Sequence, residues 1–434
     1  MAITIYEYDT LVSDSSVRGA DEPSHVIPAG VYNWLEDLCL RASADGEATW
    51  LRLTQRRGRR AVQVTSYVGV LRSPDGYQIE VLPKVGKCIG GGFAEARALL
   101  VDMLCSLEGF RHIQTDNARI AAVRMPLLEV FIYEFLRTVE RVVKRGLRCE
   151  YSVRRDNLFF LRGKLLIAPH LRNNLFRADR FFTEHEEFSS DRPENRLLRT
   201  GLQIVMALTA SDDNQRMARE LEFVFADVPV SIQPRADLQL VKLDRSMGHY
   251  SEALAWVRLL LSQHSPLTGE GEHNAPSLLF PMEAVFEAYV ADNLGKQLSG
   301  SLRLIAQTRK HHLVRHLEQN WFRLKPDLLV QDGDRDHLVL DTKWKLLDTS
   351  KSDGTDKYGL SQGDFYQLHA YGQNYLDGKG DVMLVYPKTD AFEDPLPVFV
   401  FPKTAGLRLW VVPFCLKTAK IRTPVSEGLQ AIFA

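Results

Sequence analysis

LKPDLLVQDGDRDHLVLDTKWK, residues 324–345, holds two apolar runs separated by a polar, glycine-containing turn, and its second run ends in aspartate and lysine. Runs of this length, bounded by a proline and by an Asp/Gly cluster, read as the two arms of a β-hairpin. A hairpin built only to pack needs no charge at the end of a buried arm. Asp341 and Lys343 stand at such an end, and Asp327 stands at the start of the neighbouring arm. Strand side chains alternate with period two, so Asp341 and Lys343 share a face and Thr342 points away from it. A surface hairpin carrying an i,i+2 ion pair is the simpler reading of Asp341 and Lys343, but it leaves Asp327 and the flanking helices without a role.

Those flanks extend the pattern. PMEAVFEAYVADNLGKQL (281–298) has the spacing of an amphipathic helix, with Glu283 and Glu287 four apart and on one face. DFYQLHAYGQNY (364–375) places Gln367 and Tyr371 on one face of a second helix, predicted over 362–377. Strands are predicted near 301–308, 322–331, 337–344, 381–387, 396–401 and 408–414. A helix, a three-strand meander, a second helix and further strands make an α/β unit with a mixed central sheet.

The chemistry this pattern suits is phosphodiester cleavage, which uses a metal ion to neutralise phosphate and lower the pKa of an attacking water. Magnesium prefers hard oxygen ligands and retains several waters. Asp327 and Asp341, on adjacent arms, can converge as ligands, and the backbone carbonyl of Thr342 can complete the coordination. A third carboxylate is expected from the preceding helix; Glu287 is favoured, with Glu283 in reserve. Lys343 can approach the water or the scissile phosphate, and Gln367 and Tyr371 can orient it. Asp332, Asp334 and Asp336 read as turn residues, because an EF-hand would require a glutamate at loop position 12. His311, His312 and His316 lack a matching Cys or Glu spacing and read as polar strand-end residues. No G-x-x-x-x-G-K-[ST] loop occurs, so the chain is not expected to hydrolyse nucleotides itself.

The bulk properties fit a multidomain α+β protein. The chain has 434 residues, 45% of them hydrophobic and 25% charged, with a net charge of -1. That length predicts two or three domains, and the neutral balance leaves any nucleic-acid contact to local patches. Five scattered cysteines without a C-x-x-C pair, and a start lacking the features of a secretion signal, predict a reducing cytoplasm. No apolar run approaches a membrane span. Residues 1–95 read as a β-rich domain with turns at Gly58 and at Pro74-Asp75-Gly76, residues 96–265 as a mainly helical middle region, and residues 266–434 as the α/β domain described above. Within the middle, LFFLRGKLLIAPHLR (158–172) reads as strand-like, and DRPENRLLRTGLQIVMAL opens a helix with Asp191 as N-cap and Glu194 completing a capping box. SQHSPLTGEGEHNAPS (262–277) is the best linker, and Gly90–Gly92 read as a hinge. RLTQRRGRRAV clusters Arg52, Arg56, Arg57, Arg59 and Arg60 at a hairpin tip, either solvated or docking on a partner through carboxylate or phosphate.

Three stretches together resemble McrC, the nuclease subunit of two-component McrBC-type restriction systems that cut modified DNA. They are YVGVLRSPDGYQIEVLPKVG, then FFLRGKLLIAPHLRNN with FSSDRPENRLLRTGL, and then LKPDLLV with LVLDTKWK and DFYQLHAYGQNY. The last looks like a PD-(D/E)-x-K nuclease core in which D-T-K replaces the more frequent D-A-K. The resemblance implies a restriction-endonuclease-like fold for the C-terminal domain and Mg²⁺-dependent cleavage of double-stranded DNA. It assigns Asp327 and Asp341 as metal ligands and Lys343 as the catalytic lysine. It further implies a separate AAA+ GTPase motor subunit, which carries most of the DNA specificity and is stimulated by the N-terminal region; Arg56, Arg57, Arg59 and Arg60 are candidates for that contact. The alternatives are a non-catalytic assembly factor whose main task is to activate the motor, or a nuclease of a related defence system that is not specific for methylcytosine.

Overall fold

The computed structural model describes residues 2–14, 24–45, 50–56, 58–88, 90–107, 125–261, 277–424, 429 and 431–433. They group into two compact units, one formed by Met1–Leu127 with His264–Ala434 and the other by Leu128–Gln263. The two ends of the chain therefore share a unit. Arg57 and most of the expected linker at 262–277 lie outside the described residues.

The first unit opens with β1 (Ala2–Tyr6), β2 (Thr10–Ser13), β3 (Ser24–Ile27) and α1 (Ala29–Asp45). Two hairpins follow, β4 (Leu51–Arg56) with β5 (Arg59–Val64), and β6 (Tyr67–Arg72) with β7 (Gln78–Leu82), before α2 (Gly92–Leu104). The turns fall where glycine supplies a positive φ, at Gly58 (+78°) and Gly76 (+81°). One sheet runs β3-β2-β5-β4, and alternate residues such as Leu11, Val62 and Val64 pack with Val31 and Leu35 of α1. The second sheet, β1-β7-β6, takes its fourth strand from residues 277–281, far down the chain. At that seam Gly69 has φ +131°, and a Cβ there would stand 1.9 Å from the Leu278 carbonyl oxygen. Gly69→Ala should therefore cost about 3 kcal/mol or more, through both backbone strain and steric overlap, read as a lowered unfolding midpoint.

The second unit is helical, with a sheet that the sequence reading did not separate. From α3 (Leu127–Arg145) the chain enters β8 (Glu150–Leu158), β9 (Lys164–Leu165), α4 (Ile167–Asn174) and β10 (Phe181–Ser189). The strands form an antiparallel sheet β8-β10-β9. Most of β8 is exposed, so it carries no buried alternation to mark it as a strand. The strand-like reading of 158–172 is corrected: Ile167–Asn174 is helical, and Pro169 sits in the first turn, where no amide hydrogen is needed. Helices α5 (Pro193–Leu208), α6 (Asp212–Val224), α7 (Pro234–Leu240) and α8 (Ser251–Leu261) complete the unit. The expected capping box does not form. Arg192 is the N-cap and Pro193 takes the first helical position, while Asp191 instead accepts from Arg196 at 2.7 Å.

The chain returns to the first unit through β11 (Ser277–Pro281), which pairs antiparallel with β6, and α9 (Met282–Leu294). Then come β12 (Arg303–Ala306), a ribbon of β13 (His312–His316) and β14 (Gln319–Arg323), β15 (Leu328–Asp332), β16 (Arg335–Thr342), α10 (Gln362–Tyr375), β17 (Gly380–Pro387), β18 (Phe399–Val400), β19 (Leu407–Cys415) and β20 (Lys420–Ile421). The expected mixed sheet forms in the order β12-β15-β16-β17-β19-β18, with β20 added beside β19. β12, β15 and β16 are an antiparallel meander, whereas β16, β17 and β19 are parallel. Leu338–Leu340, Val382–Val385 and Val411–Val412 are fully buried, as expected for strands covered on both faces. The strand expected near 322–331 divides: β15 starts only at Leu328, and 319–323 belongs to the separate ribbon.

Candidate active site

The end of β16 is fixed on both sides. Asp341 and Thr342 pair in register with Leu384 and Val385 of β17, and the Lys343 amide donates to the Val385 carbonyl at 2.9 Å. Functional groups therefore gather at the carboxyl end of central parallel strands, where α/β sheets commonly hold ligands. Asp327 lies just before β15, and its backbone carbonyl accepts from the Gln307 amide at 2.7 Å. Its Oδ2 accepts from both the amide (2.7 Å) and the hydroxyl (2.8 Å) of Thr342. Thr342 thus does not point away from the site. It is the last residue of β16, and the Asp327 carboxylate reaches across from the adjoining strand to meet it. The hydroxyl holds one carboxylate oxygen and so orients the other.

Lys343 and Asp341 do share a face. The ammonium Nζ lies 2.6 Å from Asp341 Oδ2, 3.7 Å from Asp364 Oδ1 and 3.3 Å from Gln367 Oε1. Gln367 bridges onward, donating to Asp341 Oδ1 (3.3 Å) and to the Tyr371 hydroxyl (2.8 Å), and that hydroxyl donates to the Lys325 carbonyl (2.8 Å). α10 thereby braces the strand end and the start of β15 together. Asp364, three residues before Gln367, was not singled out by the sequence reading, although helical spacing puts both on one face.

Burial, the Asp327 charge and Asp364 push the Asp341 carboxyl up to about 7, against the opposing pull of Lys343. Burial alone would lower Lys343, but Asp341, Asp364 and Asp327 outweigh it and hold the ammonium above its ordinary value. The lysine is thus a fixed cation at neutral pH rather than a base. The raised carboxyl has a stability consequence. Folded Asp341 keeps its proton at pH values where the unfolded side chain has lost it, so stability declines as pH rises from the ordinary carboxylate range to about 7 and levels off above it. Without divalent cations, Asp341→Asn should gain about 1–2 kcal/mol at pH 8 over wild type, and the gain should vanish near pH 4. Thermal unfolding at the two pH values checks this.

Of the two helix carboxylates, Glu287 faces this cluster. Its Oε1 accepts from Gln307 at 2.9 Å, and its pKa is raised by burial and by the charge of Asp327. Glu283 faces elsewhere, and its charge acts on Glu7 and Lys84. Among the described residues no three His, Cys, Asp or Glu side chains already surround one point. The donor set still fits magnesium, which is commonly held by one or two carboxylates with waters and substrate phosphate rather than by a complete protein cage.

A second cluster adjoins the first. Trp344, the residue after Lys343, donates its indole N–H to both carboxylate oxygens of Glu7 at 3.0 Å. The Lys84 amide donates to Glu7 Oε2 at 2.9 Å, and its ammonium donates to the Trp344 carbonyl at 2.8 Å. Glu7 is fully buried, and burial raises its pKa to about 7. The N-terminal sheet thus grips the chain one residue beyond the lysine. Glu7 and Trp344 are 337 positions apart, so no local sequence signal joins them.

The remaining candidates lie outside this cluster. Arg56 and Arg59 face each other at the β4–β5 tip, and Arg60 pairs with Glu36 at 3.3 Å while staying largely exposed. His311, His312 and His316 belong to or adjoin the β13–β14 ribbon. No described helix is long and apolar enough to cross a membrane.

A family model described as McrBC 5-methylcytosine restriction system component matches residues 62–387. No curated protein matches the chain. Among solved structures, the refined half-complex from the tetradecameric assembly of Thermococcus gammatolerans McrB AAA+ hexamers with bound McrC aligns with TM-score 0.67 at 17% identity. The alignment covers 99% of this chain and 98% of that one, a likeness of fold. The cryo-EM McrBC complex of the same organism aligns at TM-score 0.49 and 20% identity, over 68% of this chain and 87% of that one.

Proposed function

The chain belongs to the family of McrBC 5-methylcytosine restriction system components, and from that premise we propose that it is the DNA-cutting subunit, a Mg²⁺-dependent endonuclease of the PD-(D/E)-x-K class. The observation that carries this reading is the meeting of Asp327, Thr342, Asp341, Lys343 and Gln367 at the carboxyl end of β16. Asp327, Asp341 and the Thr342 carbonyl would hold the magnesium, with Glu287 beside them. When bound, the ion would supply charge neutralisation and acidify a coordinated water.

The chain's own side chains do the rest. Thr342 fixes Asp327 in one orientation. Lys343, cationic throughout the neutral range, places a positive charge where the phosphorane-like transition state gathers negative charge, and donates hydrogen bonds there. Gln367 holds Lys343 and Asp341 in register and is itself held by Tyr371. These groups are fixed before substrate arrives, so little reorganisation remains for the reaction.

The assembly named for the fold neighbour supports a partner for this chain as well: a AAA+ GTPase motor that brings double-stranded DNA to the site. The near-neutral charge of the chain accords with recruitment rather than with strong independent DNA binding. Incubating the chain with its AAA+ partner, GTP, Mg²⁺ and methylated duplex DNA tests the proposal. Cleavage dependent on both proteins and on Mg²⁺ supports it. Partner stimulation without cleavage would leave an activator in place of a nuclease.

A further inference from the structure

The β13–β14 ribbon is a two-stranded sheet that no other strand among the described residues joins. Every residue from 313 to 323 is exposed. Its apolar side chains are not buried inward: Leu317 is 84% exposed, Phe322 69% and Trp321 45%. Solvent-facing groups of this size on a narrow projection mark a contact surface. Residues 309–323 carry Arg309, Lys310, Arg315 and Arg323 against the single acid Glu318, in a chain whose net charge is -1. Arg315 pairs with Glu318 at the tip and Lys310 with Asp336 at the base, so Arg315 would exchange that exposed carboxylate for a phosphate.

The ribbon is also rooted at the site. The Leu324 amide donates to the His311 carbonyl at 2.9 Å, closing its base. The His311 ring meets the Tyr375 ring edge-on at 4.5 Å, and the Tyr375 hydroxyl donates to the Leu324 carbonyl at 3.2 Å. Tyr375 lies on α10, the helix that carries Asp364 and Gln367, and Asp327 follows Leu324 by three residues. The projection is therefore positioned relative to the carboxylates by the same helix that braces them.

Val314 pairs with Trp321 and His312 with Arg323, whose Nε donates to the His312 ring at 3.3 Å. Between Trp321 and Arg323, Phe322 has φ +55°, which interrupts the alternation of β14. At the tip, Leu317 (φ +44°) and Glu318 (φ +64°) form a two-residue turn of the hand that matches strand twist, in a conformation costly for residues with a Cβ. The turn thrusts Leu317 outward.

Resting on the nuclease reading above, we propose that this ribbon enters a groove of the duplex DNA and holds it against the cleavage site. The major groove admits a two-stranded ribbon. Arg315 and Arg323 reach the flanking phosphates, for which the guanidinium fork is suited. Leu317 and Trp321 press on sugars and on the apolar groups that base edges present in that groove, such as the thymine methyl. The charge excess and the direct continuity with Asp327 favour DNA over a protein surface, because the scissile phosphate must lie beside Asp327.

The test uses the full-length chain and a fluorescein-labelled duplex of about 30 base pairs in Ca²⁺, with binding followed by anisotropy across a salt series. The Arg315→Ala/Arg323→Ala double variant should bind at least about tenfold more weakly and flatten the log–log salt slope by about 2. Trp321→Ala should weaken binding with the slope retained. Both should unfold at the wild-type midpoint, since the ribbon is outside the core. With the AAA+ partner present, both should raise KM for cleavage and leave partner GTPase stimulation intact. Wild-type affinity in both variants, no duplex binding by the wild-type chain at low salt, or a loss confined to GTPase stimulation would each overturn the proposal, and the last would assign the ribbon to the partner. Asp341→Ala, run alongside, should bind but not cut. If it cuts, the nuclease reading fails separately from the ribbon.

Discussion

Asp341→Ala and Lys343→Ala will each lower DNA cleavage by about 100- to 1,000-fold or more, measured as single-turnover rates with saturating partner and Mg²⁺. Asp341 is 1% exposed and 2.6 Å from Lys343, so each variant strips the other residue of its closest partner. The two losses should overlap rather than add. The double variant is expected to be scarcely slower than the worse single one, because the pair acts as one device. Stimulation of the partner's GTPase should persist in all three, since these side chains lie at the carboxyl end of β16, with Asp341 buried and Lys343 mostly so. Cleavage at wild-type rates in either single variant would remove this cluster from the reaction.

Glu7→Ala is expected to have the next largest effect. It leaves the Trp344 indole N–H and the Lys84 amide without their acceptor and removes the Glu7 charge that acts on the half-buried Lys84 ammonium. Losses of this kind cost about 3 kcal/mol or more, read as a fall in the unfolding midpoint. Trp344→Phe separates position from stability. The phenyl ring can keep the contact with Phe286, whose ring lies 5.3 Å away, while only the indole N–H is lost. Cleavage should drop about tenfold in kcat with KM for DNA unchanged, because a small misplacement of Lys343 is amplified at the transition state. An unchanged kcat in Trp344→Phe would mean that the Glu7 contact supports the fold alone.

The sequence carried the β15–β16 hairpin because its apolar runs and turn are local, and period two alone places Asp341 and Lys343 together. It left Glu283 and Glu287 open for an equally physical reason. Helical spacing puts both on one face, and only their surroundings differ: Asp327 for Glu287, Glu7 and Lys84 for Glu283. Asp364 was within reach of the same spacing argument. Thr342 was misjudged because alternation describes an isolated strand, whereas its hydroxyl is claimed by Asp327 of the neighbouring one. β8, β13 and β14 have few buried residues, so hydrophobic periodicity had nothing to register. The Glu7–Trp344 contact joins opposite ends of the chain and could be found only in three dimensions.

The strand that β11 lends to β6 has a consequence for biosynthesis. The N-terminal sheet leaves the ribosome early, yet its last member follows about 200 residues later, some 10–40 s at ordinary elongation rates. During that interval the sheet waits with an open edge, and the segment that will steady Lys343 has no strand end to hold. A product truncated at either end therefore lacks the assembled Asp341–Lys343 strand end with its Glu7–Trp344 support. On the nuclease reading proposed above, completion of the polypeptide becomes the first safeguard of the host's own chromosome, exercised before any partner is engaged.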